Sequence, residues 1–196
     1  MKRIKILLTG VGGQGTLLVS RLIGEAALME GVPVSLSEIH GMAQRGGVVE
    51  STVMLGGIEG PIISEGEADI LAGFEPLETF RALKYCSTET VIITNTAQTP
   101  PLTVKIGMEA YPDTQTWFDF MKRTFPTIYA CDAHELALKA GSAQAANMVL
   151  LGILMGAGLM PISSSCMMEN IKTKTKLCLA AINIKAFEMG MEIASS

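Results

Sequence analysis

Gly10-Val-Gly-Gly-Gln-Gly15 places glycine at the three positions of a GxGxxG turn, with Gly13 as a fourth. An apolar run (Ile4, Ile6, Leu7, Leu8) precedes it, and a segment of helical period from Thr16 to Glu30 follows. Between a strand and a helix, each glycine of this pattern has a task. One makes the tight turn, one lets a phosphate approach the backbone, and one allows close helix–strand packing. The helix start adds unpaired N–H groups and partial positive charge, both favourable to an anion. Gln14 adds an amide donor at the rim. Gly12, Gly13, Gln14 and Gly15 are therefore the expected contacts to a phosphate-bearing ligand; glycines that serve packing alone are the alternative. No Gly-Lys-Ser/Thr follows, so the turn is not a P-loop.

A second group lies close by, in His40-Gly-Met-Ala-Gln-Arg-Gly-Gly47. Gln44 and Arg45 offer amide and guanidinium donors, and Arg45 suits a carboxylate or phosphate through two parallel bonds. Gly46 and Gly47 let a backbone come close. This loop is expected to leave the second strand at its carboxyl end, beside the glycine turn, where doubly wound sheets bind ligands. Gln44, Arg45, Gly46 and Gly47 thus complete the expected ligand or subunit site. Glu38 ends the second strand where a dinucleotide-binding acid would meet a ribose hydroxyl, which supports a stand-alone NAD- or FAD-binding oxidoreductase as an alternative. A nucleotide-binding assembly module with no chemistry of its own is the other. His40 and His134 are the two histidines, too few for a Ser–His–Asp or Cys–His arrangement, and no catalytic residue is assigned. His134 falls inside a capping-box pattern, Asp132-Ala-His-Glu135, and reads as local structure.

Several elements must hold these loops. Strands are expected at 3–9, 34–38, 48–55, 69–74, 91–94 and 127–131, with short ones at 61–64 and 102–106. Helices are expected at 16–30, 76–85, 116–122, 133–140, 143–158, 164–172 and 175–189. The first strand, helix and second strand read as one βαβ unit. The fold class is α/β: a Rossmann-like, mostly parallel sheet flanked by helices, with a helical C-terminal segment. One domain is expected over 1–196, with the sheet in 1–131 and a helical tail packed on it in 132–196.

Composition narrows the functions. With 48% hydrophobic and 17% charged residues, the 196-residue chain has material for a sizeable core. A net charge of −4 and few aromatics lack the basic clusters that nucleic-acid binding needs. Cys86, Cys131, Cys166 and Cys178 form no CxxC pair. Cys131 and His134 alone would need further ligands to hold a metal, and none is expected. Scattered thiols and no evident leader suggest the cytoplasm. Residues 140–168 carry no charge, but polar residues, glycines and Pro161 interrupt them, so a buried helix is expected rather than a membrane span. On that helix Gly152 and Gly156 lie four apart beside Met148, Leu151 and Met155, a pattern read as a contact with another subunit.

Taken together, Gly10–Gly15 and Ser37-Glu-Ile-His-Gly-Met-Ala-Gln-Arg-Gly-Gly47 resemble the γ-type subunit of 2-oxoacid:ferredoxin oxidoreductases. The second motif is similar in particular to the β subunit of the indolepyruvate enzymes. Asn147-Met-Val-Leu-Leu-Gly152 and Asn183-Ile-Lys-Ala-Phe187 resemble the closing segments of that family, so the likeness spans nearly the whole chain. It implies oxidative decarboxylation of an arylpyruvate to an acyl-CoA, with electrons passed to ferredoxin. It also implies a larger partner subunit that carries thiamine diphosphate and 4Fe-4S clusters, with coenzyme A as co-substrate and no cofactor held by this chain. The chain would then complete the active site through 12–15 and 44–47.

Overall fold

The computed structural model describes residues 2–40, 47–58, 60–100, 104, 106–108 and 110–195. Its strands are β1 (Ile4–Val11), β2 (Val34–His40), β3 (Val48–Leu55), β4 (Ala68–Gly73), β5 (Cys86–Asn95) and β6 (Ile128–Cys131). The helices are α1 (Thr16–Met29), α2 (Pro76–Ala82), α3 (Thr114–Thr124), α4 (Ala133–Ala140), α5 (Ala146–Gly156), α6 (Ser164–Lys174) and α7 (Ala180–Ala194). Short 3₁₀ turns precede α5 and α7 and follow α2.

The strands form one sheet in the order β2-β3-β1-β4-β5-β6. β1, β4, β5 and β6 pair in parallel, whereas β3 runs antiparallel to both β1 and β2. The sheet is therefore mostly parallel, as expected. Its first unit differs from the expectation: β1 and β2 point the same way but do not touch. The β2–β3 connection is short enough to turn back as a hairpin, and β3 slots between the two, pairing Val11 with Val48 and His40 with Val49. The expected return strand at 61–64 is irregular; Pro61 there accepts a hydrogen bond from the Thr52 hydroxyl at 2.6 Å. The expected strand at 102–106 falls largely outside the described residues.

Alternation along the central strands builds two cores. Ile4, Ile6 and Leu8 face α1 and the C-terminal helices, while Leu7 faces the side of α3, with Met54, Leu71 and Ile92. Helix α1 buries Val19, Leu22, Ile23, Ala26 and Ala27 at helical spacing. Met29, the last residue of the helix, turns to solvent. The crossover through α1 thus lies on one face of the sheet and α2 on the other, so the chain changes direction between β1 and β4.

Nearly every residue of α5, from Asn147 to Met155, is buried against the sheet, α4 and α7. Its uncharged run is explained by that surrounding, because a helix covered on all sides has no polar face. No helix among the described residues is long and apolar enough to cross a membrane. Gly152 and Gly156 face α7 of the same chain. A Cβ on Gly152 would meet the Phe187 carbonyl oxygen at 2.0 Å, and one on Gly156 the Met191 oxygen at 2.7 Å. The subunit contact read from this pair is corrected: the glycines let two helices of one chain pack closely.

Candidate functional site at the carboxyl edge of the sheet

A cavity of about 370 Å³ opens beyond the carboxyl ends of β1, β4 and β5, where the chain direction changes. Gly12, Gly13 and Gln14 form one wall, and Phe74 and Asn95 its floor. Thr99, His134, Gln144, Asn147 and Leu150 close the other sides.

The glycine turn is held from within. The Val11 N–H donates to Gln14 Oε1 at 2.8 Å, and the Gln14 N–H donates to the Val11 carbonyl at 3.1 Å. Gly10 permits this fold-back, because a Cβ there would lie 2.7 Å from Gln14 Oε1. With Oε1 engaged, Gln14 Nε2 has no protein acceptor among the described residues. Gly15 occupies the N-cap of α1 at φ 85°, a left-handed conformation that side chains disfavour, and no side chain caps the helix. The backbone N–H groups of Gly13 and Gly15 also have no partner among the described residues. A turn with free amides at a helix start is a nest for an anion.

Gly47, the last residue of the second loop singled out in the sequence, meets the glycine turn here. The Gly12 N–H donates to the Gly47 carbonyl at 2.9 Å, joining the glycine turn to the start of β3. Gln44, Arg45 and Gly46 lie outside the described residues. Glu38 is displaced from the position a dinucleotide-binding acid requires: β3 stands between β2 and β1, moving Glu38 one strand spacing outward. The geometry that favoured an NAD site is lost.

Other groups serve as scaffold. Asn95 Nδ2 donates to the Phe74 carbonyl at 3.2 Å, and its Oδ1 accepts from the Ala97 and Ala133 N–H groups at 3.1 and 3.0 Å. One buried amide thereby ties β4, β5 and α4 together. Glu75, fully buried, caps α2 by accepting from the Leu77 and Glu78 N–H groups. Its second oxygen accepts from the Thr99 N–H and the Tyr111 hydroxyl, which fixes Thr99 at the cavity. Asp132 accepts from the Glu135 N–H at 2.8 Å, one half of the expected capping box. Glu135 turns instead to Lys139, and His134 is exposed at the cavity mouth. Cys131 stays a thiol: burial, with Asp132 adding to it, pushes its pKa up to about 11. No cluster of three metal-ligating side chains occurs among the described residues.

Sequence reasoning placed Gly12, Gly13 and Gln14 at this cavity but missed Phe74, Asn95 and Thr99. It had noted Asn147 and Leu150 only as parts of a motif. One signal was available for Asn95, a polar residue closing an apolar strand.

Beside the site, Glu78 is buried and its Oε2 has no hydrogen-bond partner, while Oε1 pairs with Arg81 at 2.9 Å. Burial pushes its carboxyl above the usual range; Arg81 opposes the rise, and Glu75 and Glu50 add to it. A carboxyl whose folded pKa is raised holds its proton more tightly in the folded chain. Its effect is therefore most favourable below the unfolded value, and stability falls as pH rises through the folded one. Glu78→Gln is accordingly expected to raise the melting temperature at about pH 7 and to lose that advantage at about pH 3.5. Equal gains at both pH values would contradict this.

Comparison with known proteins now places the chain. Residues 5–193 match the family model for pyruvate ferredoxin/flavodoxin oxidoreductase. The chain belongs to that family. It is 38% identical over 194 residues to indolepyruvate oxidoreductase subunit IorB of Archaeoglobus fulgidus, covering 99% of this chain and 96% of that protein. The protein of the same name from Methanothermobacter thermautotrophicus is 37% identical, with 97% of each chain covered. The family fold is seen in the gamma subunit of a keto/oxoacid ferredoxin oxidoreductase from Geobacter sulfurreducens (TM-score 0.70, 22% identity, 97% and 98% of the two chains). A longer chain is also similar, the 2-oxoglutarate:ferredoxin oxidoreductase of Magnetococcus marinus, solved with 2-oxoglutarate, coenzyme A and succinyl-CoA bound. There the TM-score is 0.71 at 18% identity, over 99% of this chain and 31% of that one. The expected α/β architecture is thus that of oxidoreductase gamma subunits.

Proposed function

We propose that this chain is the smaller subunit of a heteromeric indolepyruvate (arylpyruvate):ferredoxin oxidoreductase, completing an active site whose redox groups sit in a larger partner. The reaction is oxidative decarboxylation. The carboxylate leaves as CO₂, the acyl carbon is transferred to the thiol of coenzyme A, and the two electrons released pass to ferredoxin. Thiamine diphosphate and 4Fe-4S clusters supply the decarboxylation and electron chemistry on the partner, while this chain binds and orients. The observation that carries the assignment is the end-to-end likeness to indolepyruvate oxidoreductase subunits at 36–38% identity.

Within that role, the amides of Gly13 and Gly15, without a partner among the described residues, and the start of α1 suit the phosphates of coenzyme A. Gly12, Gln14 and Gly47 hold the turn in shape, and Gln44, Arg45 and Gly46 are assigned as further contacts from their residue types alone. Fit is the reason for assigning the nucleotide end here: the nest offers N–H donors and helix polarity to an anion and has no cysteine set for a cluster.

The test is co-expression with the thiamine- and cluster-bearing subunit, followed by indolepyruvate-dependent reduction of ferredoxin with coenzyme A present. Turnover is expected from the complex and not from the isolated chain. Tight stoichiometric NAD binding by the isolated chain, or a complex that ignores aryl 2-oxo acids, would overturn the proposal.

A further inference from the structure

Asn147 is the buried asparagine that combines an unpartnered amide with a place in the cavity wall. It is 6% exposed, in the first turn of α5, and its side chain lines the cavity. Neither its Oδ1 nor its Nδ2 has a hydrogen-bond partner among the described residues. Asn183 shares that state but does not line the cavity, Asn170 uses only its Nδ2, on the Leu22 carbonyl, and Asn95 uses its amide three times. The amide atoms of Asn147 are not sealed in the core but open to the cavity, so an occupant can supply their hydrogen bonds. Asn147 also sits directly against the glycine turn: a Cβ on Gly15 would lie 2.3 Å from its Nδ2. Gln14 Nε2, on the adjoining wall, also has no partner among the described residues, and Phe74 and Leu150 contribute apolar surface. No Asp, Glu, Lys or Arg is among the described residues that line the cavity.

Such a pocket is built for an uncharged group that presents a donor and an acceptor side by side on an otherwise apolar body. We propose that Asn147 recognises the adenine of coenzyme A, pairing through Nδ2 and Oδ1 with a donor and an acceptor on one edge of the base. Asparagine is suited to this, because its amide matches adjacent donor and acceptor groups of adenine in two bonds. The inference rests on the reading that the phosphates of coenzyme A lie on the glycine turn. Given that, connectivity decides which end enters the cavity. The diphosphate stands between the nucleoside and the pantetheine arm, and the thiol must leave toward the chemistry on the partner subunit. The adenine end is then the one that turns inward, next to Asn147. Asn147 is a specificity residue in this account and takes no part in the acyl transfer.

The test uses the intact complex and equilibrium titration of coenzyme A, ADP and pantetheine. Asn147→Leu keeps the size and adds no charge but loses both donor and acceptor. Its Kd for coenzyme A and for ADP is expected to rise roughly tenfold, with pantetheine binding unchanged. Should the variant fail to assemble, the unaltered complex still decides: it is expected to bind coenzyme A several-fold more tightly than the analogue carrying hypoxanthine. Weakened pantetheine binding, an unchanged Kd in the assembled variant, or equal affinity for the two bases would each overturn the assignment. Gly13→Asp separates this from failure of the underlying reading. Sensitivity there with indifference at Asn147 removes only the adenine contact; indifference at Gly13 removes coenzyme A from the turn.

Discussion

Gly152→Ala is expected to lower the melting temperature of the isolated chain by roughly 6–12 °C, the shift that about 3 kcal/mol produces in a domain of this size. The new methyl group would sit 2.0 Å from the Phe187 carbonyl oxygen and within 3.0 Å of Gly190 Cα. Both obstacles are backbone, so no side-chain rotation relieves them. The reciprocal approach is equally close, since a Cβ on Gly190 would meet the Val149 carbonyl oxygen at 2.1 Å. α5 and α7 would have to move apart, opening the core around Leu151 and Phe187, two fully buried side chains. Gly156→Ala is milder, because its nearest obstacle lies at 2.7 Å and the helix ends there. Thermal unfolding of the isolated chain measures the difference. A melting temperature unaffected by Gly152→Ala would mean that α5 and α7 do not pack as described.

The effect belongs to a single chain, and here the sequence alone misleads. Two glycines four apart on an apolar helix face show that some backbone comes close, but not whose backbone it is. The answer came from α7, nearly forty residues away, whose Gly190 faces them. Local signals were read more successfully. The strands announced themselves by apolar alternation bounded by Gly and Pro, and α1 by its repeat and by Gly31 after its end. Strand order was not legible. Whether β2 lies against β1 or beyond β3 depends on pairing energies between distant segments, and an eight-residue antiparallel ladder between β1 and β3 decides it.

The site divides the same way. Gly12 to Gly15 form a contiguous motif whose physical tasks can be stated from the order of residues. Phe74, Asn95 and Asn147 reach the same cavity from β4, β5 and α5, and only the fold brings them together. Asn147 did carry one legible sign. It is the one polar side chain in the run Asn147–Met155, where a buried helix otherwise uses apolar residues and glycine.

Gly13 offers the sharpest test of what the turn is for. It is exposed, with φ 100°, and a Cβ there would have nothing within 4 Å. A side chain therefore clashes with nothing, and Asn and Asp are among the residues that best tolerate a positive φ. Gly13→Asn and Gly13→Asp share the backbone strain and differ by one negative charge, set beside the free N–H groups of the nest. If those groups hold phosphate, the charge should repel the ligand by about 2.7 kcal/mol, a hundredfold weaker Kd, while the amide variant loses far less. The decisive measurement is calorimetric titration of coenzyme A into the assembled complex carrying each variant. A Kd roughly a hundredfold higher for aspartate than for asparagine, with the affinity for the 2-oxo acid unchanged, is the predicted result. Equal coenzyme A affinities in the two variants would contradict it.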